Sequence, residues 1–388
     1  MVISCVLFGF SVFFVFYAMV GYPLLLMLLD KFIKPPKLKI DNTLEPTVSY
    51  MIVAHNEEKI IKEKLMNALE LDYPKEKIDI VVASDNSTDS TNLIVEDFIK
   101  KHPYSKIRLV CSKEHKGKTN AQNETQKTVK SEILVMTDAN TMLKSNAIKE
   151  LVKRFTSDDI AYVCGKLVYE NDISTNTSDS ESTYWDLDLK MRDIESRIFS
   201  ITAGNGAIYA CRNRDYVDFE PIKCHDISMP YYYSVNRKRA IFVPEAIAME
   251  KAGETNEDEF KRKVRMNRDI LDLIIDGIKV LNVFKYKWFS VFYFGHRTCR
   301  YTLWLWHLIA LVSSLVMACI GSYIGISILF GQIVAIVLTV MQLKRSFNNK
   351  FLRLIGYYGM TVLAQYMAIF KIIAGTAKPI WDKAESTR

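Results

Sequence analysis

Three hydrophobic patterns succeed one another along this chain. Met1 to Leu29 contain no charged side chain. At 1.5 Å per residue the run exceeds a hydrocarbon core of ~30 Å, so it predicts a transmembrane helix over residues 1–30. No basic stretch precedes it and no small-residue cleavage site follows, which marks an anchor rather than a cleaved leader. From Glu45 to Asp276 short apolar runs alternate with segments whose apolar positions recur at helical spacing, the pattern of an α/β domain over residues 45–276. Val48–Val53, Ile78–Ala83, Ile107–Val110 and Ile133–Met136 predict strands, the last a run buried on both faces. Tyr301 to Leu343 again lack Asp, Glu, Lys and Arg, enough for two more spans joined near Gly321–Gly325. Leu354 to Phe370 are shorter and interrupted by Gln365, a short span or an interfacial helix. Residues 301–375 thus form a C-terminal membrane region, with a tail at 376–388.

Polar residues cluster where the predicted strands end. Ala54-His-Asn-Glu-Glu follows the first strand, and Asn56 is placed to cap the next helix, with Glu57 and Glu58 at its positive end. Ser84-Asp-Asn-Ser-Thr-Asp-Ser-Thr91 follows the second and Lys116-Gly-Lys-Thr-Asn-Ala-Gln-Asn123 the third. Thr137-Asp-Ala-Asn140 ends the fourth, where Asp138 and Asn140, two hard oxygen donors spaced i, i+2, can reach one divalent cation. Taken singly, Glu57, Asp85, Asp89 and Lys118 read as caps, dipole-matching acids or solvated charges. Jointly they occupy the carboxyl edge of one sheet, where open α/β folds bind ligands.

Charge adds direction. Lys31, Lys34, Lys37 and Lys39 follow the first span and mark the cytoplasmic side, as do Lys344, Arg345, Lys350 and Arg353 after the later pair. Lys378, Lys383 and Arg388 favour an inside carboxyl end. Residues 279–300 interleave Phe284, Trp288, Phe289, Phe292 and Tyr293 with Lys285, Lys287, Arg297 and Arg300, and predict an interfacial amphipathic helix on a lipid bilayer. The net charge of +7 fits that surface, and no motif supports a nucleic-acid partner. Seven scattered cysteines without CxxC spacing argue against a zinc site or a disulfide framework. Asn171 to Thr183, rich in Ser, Thr, Asn and Asp, predict a mobile loop.

The motifs at residues 54–57, 84–89, 117–123 and 137–140, with Ala203-Gly-Asn-Gly-Ala207 through Arg212, His225-Asp226 and Arg262-Lys-Val-Arg265, fall in the order and spacing of family 2 glycosyltransferases. The chain resembles the membrane-embedded members, bacterial synthases of hyaluronan, cellulose and poly-N-acetylglucosamine. The resemblance implies a GT-A fold, an α/β Rossmann-like mixed sheet on the cytoplasmic side of the cell membrane, with α-helical transmembrane segments. It implies a UDP-sugar donor, Mg²⁺ or Mn²⁺, and a growing glycan or polyprenyl-linked acceptor. Ala54, His55 and Glu57 would line the uridine site, Asp85 would accept the uracil N3 proton, and Lys118 would face the diphosphate. Asp138 and Asn140 would hold the metal, Asp226 would be the general base of an inverting transfer, and Arg265 would add charge beside the diphosphate. Gly204, Asn205 and Gly206 would approach the acceptor.

Three positions depart from the pattern. Asn140 replaces the second metal-binding carboxylate, His225 the acid before the base, and Arg262-Lys-Val-Arg265-Met266 stands for the Gln-x-x-Arg-Trp of processive synthases. A catalytically silent membrane scaffold or nucleotide-sugar sensor on the same fold is the alternative that these changes motivate.

Overall fold

The computed structural model describes all residues except 36, 171–177, 252–255, 345–346, 348 and 381–388, and not the side chains of 170, 178–185 and 350. The chain divides into a sheet unit (residues 34–171, 192–252 and 378–388) and a helical unit (1–33, 172–191 and 253–377).

Among its described residues the sheet unit holds eight strands, β1 (Val48–Ala54), β2 (Ile78–Ser84), β3 (Ile107–Cys111), β4 (Ile133–Asp138), β5 (Met142–Leu143), β6 (Ile160–Glu170), β7 (Tyr209–Arg212) and β8 (Arg239–Lys251). Their order is β3-β2-β1-β4-β7-β6-β8-β5. β1 is parallel to both β2 and β4, whereas β7 runs antiparallel to β4 and β6. The apolar runs become these inner strands because both faces are covered: every residue of β1 and the first five of β4 are buried.

Chain order reverses at β1, which lies between β2 and β4, and a ligand crevice opens at such a switch point. The register is level there, with Ala54 opposite Ser84 and Val53 opposite Asp138. His55, Asp85 and Asp138 therefore leave the sheet side by side. The helix Ile61–Leu69 is tied to the same edge by fully buried Lys64, whose Nζ donates to Thr137 Oγ1 at 3.3 Å and to the Thr141 carbonyl. Burial brings its pKa down to about 7, against the opposing pull of the Asp138 and Glu250 carboxylates.

Local expectations change at three places. Asn56 does not cap the following helix, which starts at Ile61 with Ile60 as its N-cap. At a φ of 53°, Asn56 turns its Oδ1 across to β2's loop, accepting from Thr88 N at 2.7 Å and Asp89 N at 3.3 Å. A longer-range pair of amide donors has outcompeted the local cap. Of the segment 171–183, residues 171–177 lie outside those described, and Ser178 opens the helix Ser178–Ile198 instead of continuing a loop.

The third change is in the helical unit. Residues 279–300 are not one amphipathic helix: Lys279 ends one helix, Val283–Tyr286 is a single turn, and Trp288–Tyr293 starts after Lys287 takes a φ of 51°. Phe289, Phe292 and Tyr293 are buried, while Phe284 is 94% exposed. Trp288, after the break at Lys287, is exposed as well, so the aromatics divide between core and surface.

Among the described residues of this unit two helices, Val2–Phe32 and Tyr323–Lys344, are long and apolar enough to cross a membrane. Trp288–Tyr301 with Leu303–Cys319, bent by 54°, makes a third if the pair is one span. Gln365, the polar interruption in the last apolar run, lies on the helix Lys350–Ile373 and accepts from Trp304 N at 3.1 Å while donating to the Arg300 carbonyl at 2.8 Å. It thereby satisfies backbone groups released at the bend, as a helix break in an apolar setting requires.

Candidate active site

Lys118 is the centre of the crevice. It opens the helix Lys118–Gln126 after Gly117, whose φ of 96° an L side chain rarely adopts. Its Nζ lies 2.5 Å from Asp138 Oδ1 and donates to the Gly206 carbonyl at 3.3 Å. Burial alone would lower its pKa, but the Asp138 and Asp226 carboxylates raise it on balance, so the ammonium is charged at neutral pH.

Gly206 leaves the room in which these groups meet. A Cβ there would stand 2.7 Å from Lys118 Nζ, 3.3 Å from Asp138 Oδ2 and 3.9 Å from Asp226 Oδ2. Asp226 sits in the first turn of the helix His225–Val235, and its carbonyl accepts from Gly204 N at 2.7 Å. The three glycine-loop residues divide in role. A Cβ at Gly204 would collide with the Tyr162 hydroxyl, so that glycine serves close packing. Asn205 does not offer its amide to an acceptor sugar: it is buried, donates to the Gly165 carbonyl at 2.7 Å, and accepts from Ala207 N and Ile208 N. The loop's own backbone has used its hydrogen-bonding capacity.

His225, beside the candidate base, is neutral. Burial, with Lys118 nearby, pushes its pKa down to about 3. Its Nδ1 donates to Gln122 Oε1 at 2.9 Å and its Nε2 lies 3.0 Å from the Tyr216 hydroxyl. Where the sequence pattern expects an acid, this chain holds an uncharged, fully bonded ring.

Asp85 is buried beneath the neighbouring loop. Its Oδ2 accepts from His115 Nδ1 and Gly117 N, both at 2.8 Å, and its Oδ1 from Lys116 N at 3.1 Å. The His55 ring stacks on the His115 ring with centroids 3.7 Å apart and planes inclined by 6°, and His55 Nδ1 lies 2.7 Å from the Asp85 carbonyl. Ala54 contributes its carbonyl, which accepts from Asp85 N at 2.9 Å. Buried Glu57 is tied by its backbone N–H, which donates to Thr91 Oγ1 at 2.6 Å.

Two groups could be considered for a cation. His55, Asp85 and His115 present ligand atoms within 4.8 Å of one another. Their rings are nearly parallel, however, and ring-nitrogen lone pairs lie in the ring plane, so the two cannot converge on one ion. Asp138 and Asn140 supply the hard oxygens that Mg²⁺ or Mn²⁺ prefers, and Asn140 Nδ2 donates to Glu250 Oε1 of β8 at 2.9 Å. The corner that has one carboxylate in the sequence motif has a second close by in space, and this donor set fits the ion.

The edge of the sheet thus collects Ala54, His55, Glu57, Asp85, Lys118, Asp138, Asn140, Gly206 and Asp226. Arg265 lies on the helix Asn256–Met266 of the helical unit. Sequence reasoning missed His115, Glu250 and Lys64. His115 adjoins the Lys-Gly-Lys motif, a signal that could have drawn attention to it. Glu250 stands 110 residues from Asn140, and no spacing rule links them.

Comparison with known proteins bears on the family and the fold. Residues 49–218 match the profile of glycosyl transferase family 2. A probable glycosyltransferase of Bacillus subtilis, YdaM, is 34% identical over 119 residues, 30% of this chain and 28% of that protein. A poly-beta-1,6-N-acetyl-D-glucosamine synthase of Staphylococcus epidermidis is 30% identical over 108 residues, 28% of this chain and 25% of that one. These matches span about a quarter of either relative's length. The mannosyltransferase PcManGT from Pyrobaculum calidifontis, solved in complex with GDP-Man and Mn²⁺, shares the fold with a TM-score of 0.71 at 20% identity, over 95% of this chain and 99% of that one. The strand-end motifs, the mixed sheet that aligns them and the family match lead to one conclusion: residues 49–218 constitute a glycosyltransferase family 2 domain.

Proposed function

We propose that the protein is an inverting glycosyltransferase that moves a sugar from a UDP-sugar to a growing surface polysaccharide or a polyprenyl-linked saccharide at the cytoplasmic face of the cell membrane. The observation that carries this reading is the convergence of Lys118, Asp138 and Asp226 on the space beside Gly206. A cation for the diphosphate, a carboxylate for a metal and a carboxylate for a proton are the groups that such a transfer requires.

Asp226 takes the proton from the acceptor hydroxyl as its oxygen attacks the anomeric carbon. The bond from that carbon to the diphosphate oxygen breaks, the glycosidic bond forms on the opposite face, and UDP leaves. A single displacement with one carboxylate base inverts the anomeric centre. Lys118 turns from Asp138 toward the diphosphate and offsets its charge. Asp138 and Asn140, with Glu250 behind, would hold Mg²⁺ or Mn²⁺, which would neutralise charge building on the departing nucleotide. His225 stays neutral at working pH, and its bonds to Gln122 and Tyr216 hold the helix turn that carries the base.

The apolar helices of the helical unit support a membrane location. The lysines after the first, Lys31, Lys34, Lys37 and Lys39, support catalysis on the inner side.

The test is turnover. Detergent-purified protein is incubated with Mn²⁺ and a panel of UDP- and GDP-sugars with oligosaccharide and polyprenyl-phosphate saccharide acceptors, and nucleotide release and product length are followed. UDP release that disappears in Asp226→Asn is expected. Nucleotide binding without turnover on any acceptor would sink the enzyme reading in favour of a sensor or scaffold.

A further inference from the structure

We infer that His115 is a built-in stand-in for the nucleobase: its imidazole fills the seat between His55 and Asp85, and the donor's uracil must displace it. The inference rests on the reading of Asp85 as the uridine contact and goes a step beyond it. A uracil bound at this corner has two requirements, a flat surface to stack on and an acceptor for its N3–H. His115 already uses both. It lies face to face with His55 at 3.7 Å and 6°, and its Nδ1 donates to Asp85 Oδ2 at 2.8 Å.

The Asp85 side chain is only 2% exposed, so a base cannot reach it while His115 stays. Nor is there room between the rings, since 3.7 Å is already a stacking distance and inserting a base would require about twice that. The exchange needs little motion. Lys116 N and Gly117 N remain on Asp85 and anchor the loop backbone, so rotation of the His115 side chain is sufficient, and that side chain is 28% exposed.

The exchange also selects. The vacated position accepts one in-plane N–H from a flat ring, which uracil provides at N3. Cytosine has an acceptor there and would face the carboxylate lone pairs.

If only the open fraction binds, the apparent Kd is the intrinsic value divided by that fraction. Removing the imidazole should therefore tighten binding. The full-length protein in detergent is titrated with UDP by calorimetry as wild type, His115→Ala, His115→Ser and Asp85→Asn, each checked for a cooperative thermal transition. We expect His115→Ala and His115→Ser to bind UDP about tenfold more tightly, equivalent to a seat closed roughly nine-tenths of the time, and Asp85→Asn, which offers N3–H a neutral amide oxygen in place of a carboxylate, to bind more weakly. Stopped-flow association should reach a plateau with UDP concentration in the wild type and lose it in His115→Ala.

Weaker or unchanged binding in both His115 variants, with Asp85→Asn still impaired, overturns the stand-in and makes His115 a wall of the site. Asp85→Asn binding UDP like the wild type instead removes the uridine reading, and the inference with it.

Discussion

Asp85 anchors the loop that carries Lys118, and the cost of removing it follows from its bonds. Its carboxylate receives three N–H groups, from His115, Lys116 and Gly117. Asp85→Ala leaves the Lys116 and Gly117 amides without an acceptor, whereas the partly exposed His115 ring turns to water. A polar group left unsatisfied costs about 1–3 kcal/mol. Two of them, eased by water entering the space vacated, come to about 3 kcal/mol.

Asp85→Asn keeps an oxygen that can stay on the His115 and Gly117 side, and sets its NH₂ against Lys116 N–H alone. One lost bond puts its cost at about 1–2 kcal/mol. For a unit of this size each kcal/mol shifts the thermal midpoint by about 2–4 °C. The alanine variant should therefore unfold about 6–12 °C below wild type and the asparagine variant about 2–8 °C below it. The assay is near-UV circular dichroism of detergent-solubilised protein, with UDP affinity measured on the same samples. An alanine variant within 1 °C of wild type, or an asparagine variant less stable than the alanine one, would refute the view that this carboxylate holds the loop.

Four other outcomes are expected. Because the folded-state pKa of His225 is about 3, below the ordinary value near 6.5, the unfolded chain binds the extra proton between those pH values. Stability should thus fall as pH drops through this window, by up to about 1.4 kcal/mol per unit; His225→Asn should flatten that limb in urea titrations at pH 7, 5.5 and 4.5, and parallel curves would contradict the argument. Gly206→Ala should lower turnover severely with a small change in thermal midpoint, since its Cβ meets the Lys118 and Asp138 side-chain ends. Gly204→Ala, which meets the buried Tyr162 hydroxyl, should chiefly lose stability, by about 1–3 kcal/mol, and a reversal of the two phenotypes would show the loop to be misassigned. Glu250→Gln should weaken Mn²⁺ binding in the presence of UDP, read by electron paramagnetic resonance, and adding Asn140→Asp should restore it; equal Mn²⁺ affinity in wild type and Glu250→Gln would leave Glu250 a purely structural partner of Asn140. Asp226→Asn should abolish turnover while retaining UDP affinity, and residual turnover would move the base elsewhere.

The apolar runs determined the parallel strands, because a run such as Ile133–Met136 with no polar face can be satisfied only inside a covered sheet. Alternation with helical segments determined that these strands are parallel neighbours, and so that Asp85, Lys118 and Asp138 share an edge. What the chain could not specify locally was which groups meet across that edge. Asn56 has the composition of a helix cap, yet the amides of Thr88 and Asp89, more than thirty residues away, compete successfully for its oxygen. Residues 279–300 have the composition of an interfacial helix, yet the chain breaks at Lys287, and Phe289, Phe292 and Tyr293 beyond it are buried. Asn140 reads as a lost charge until β8, entering the sheet far from β4, brings Glu250 to it. His115 has only its place beside the Lys-Gly-Lys motif to distinguish it. Strand patterns are legible because burial repeats at fixed intervals along the chain. The partners of a polar side chain are decided by which loops the folded sheet brings within hydrogen-bond reach, and that distance exists only in the folded molecule.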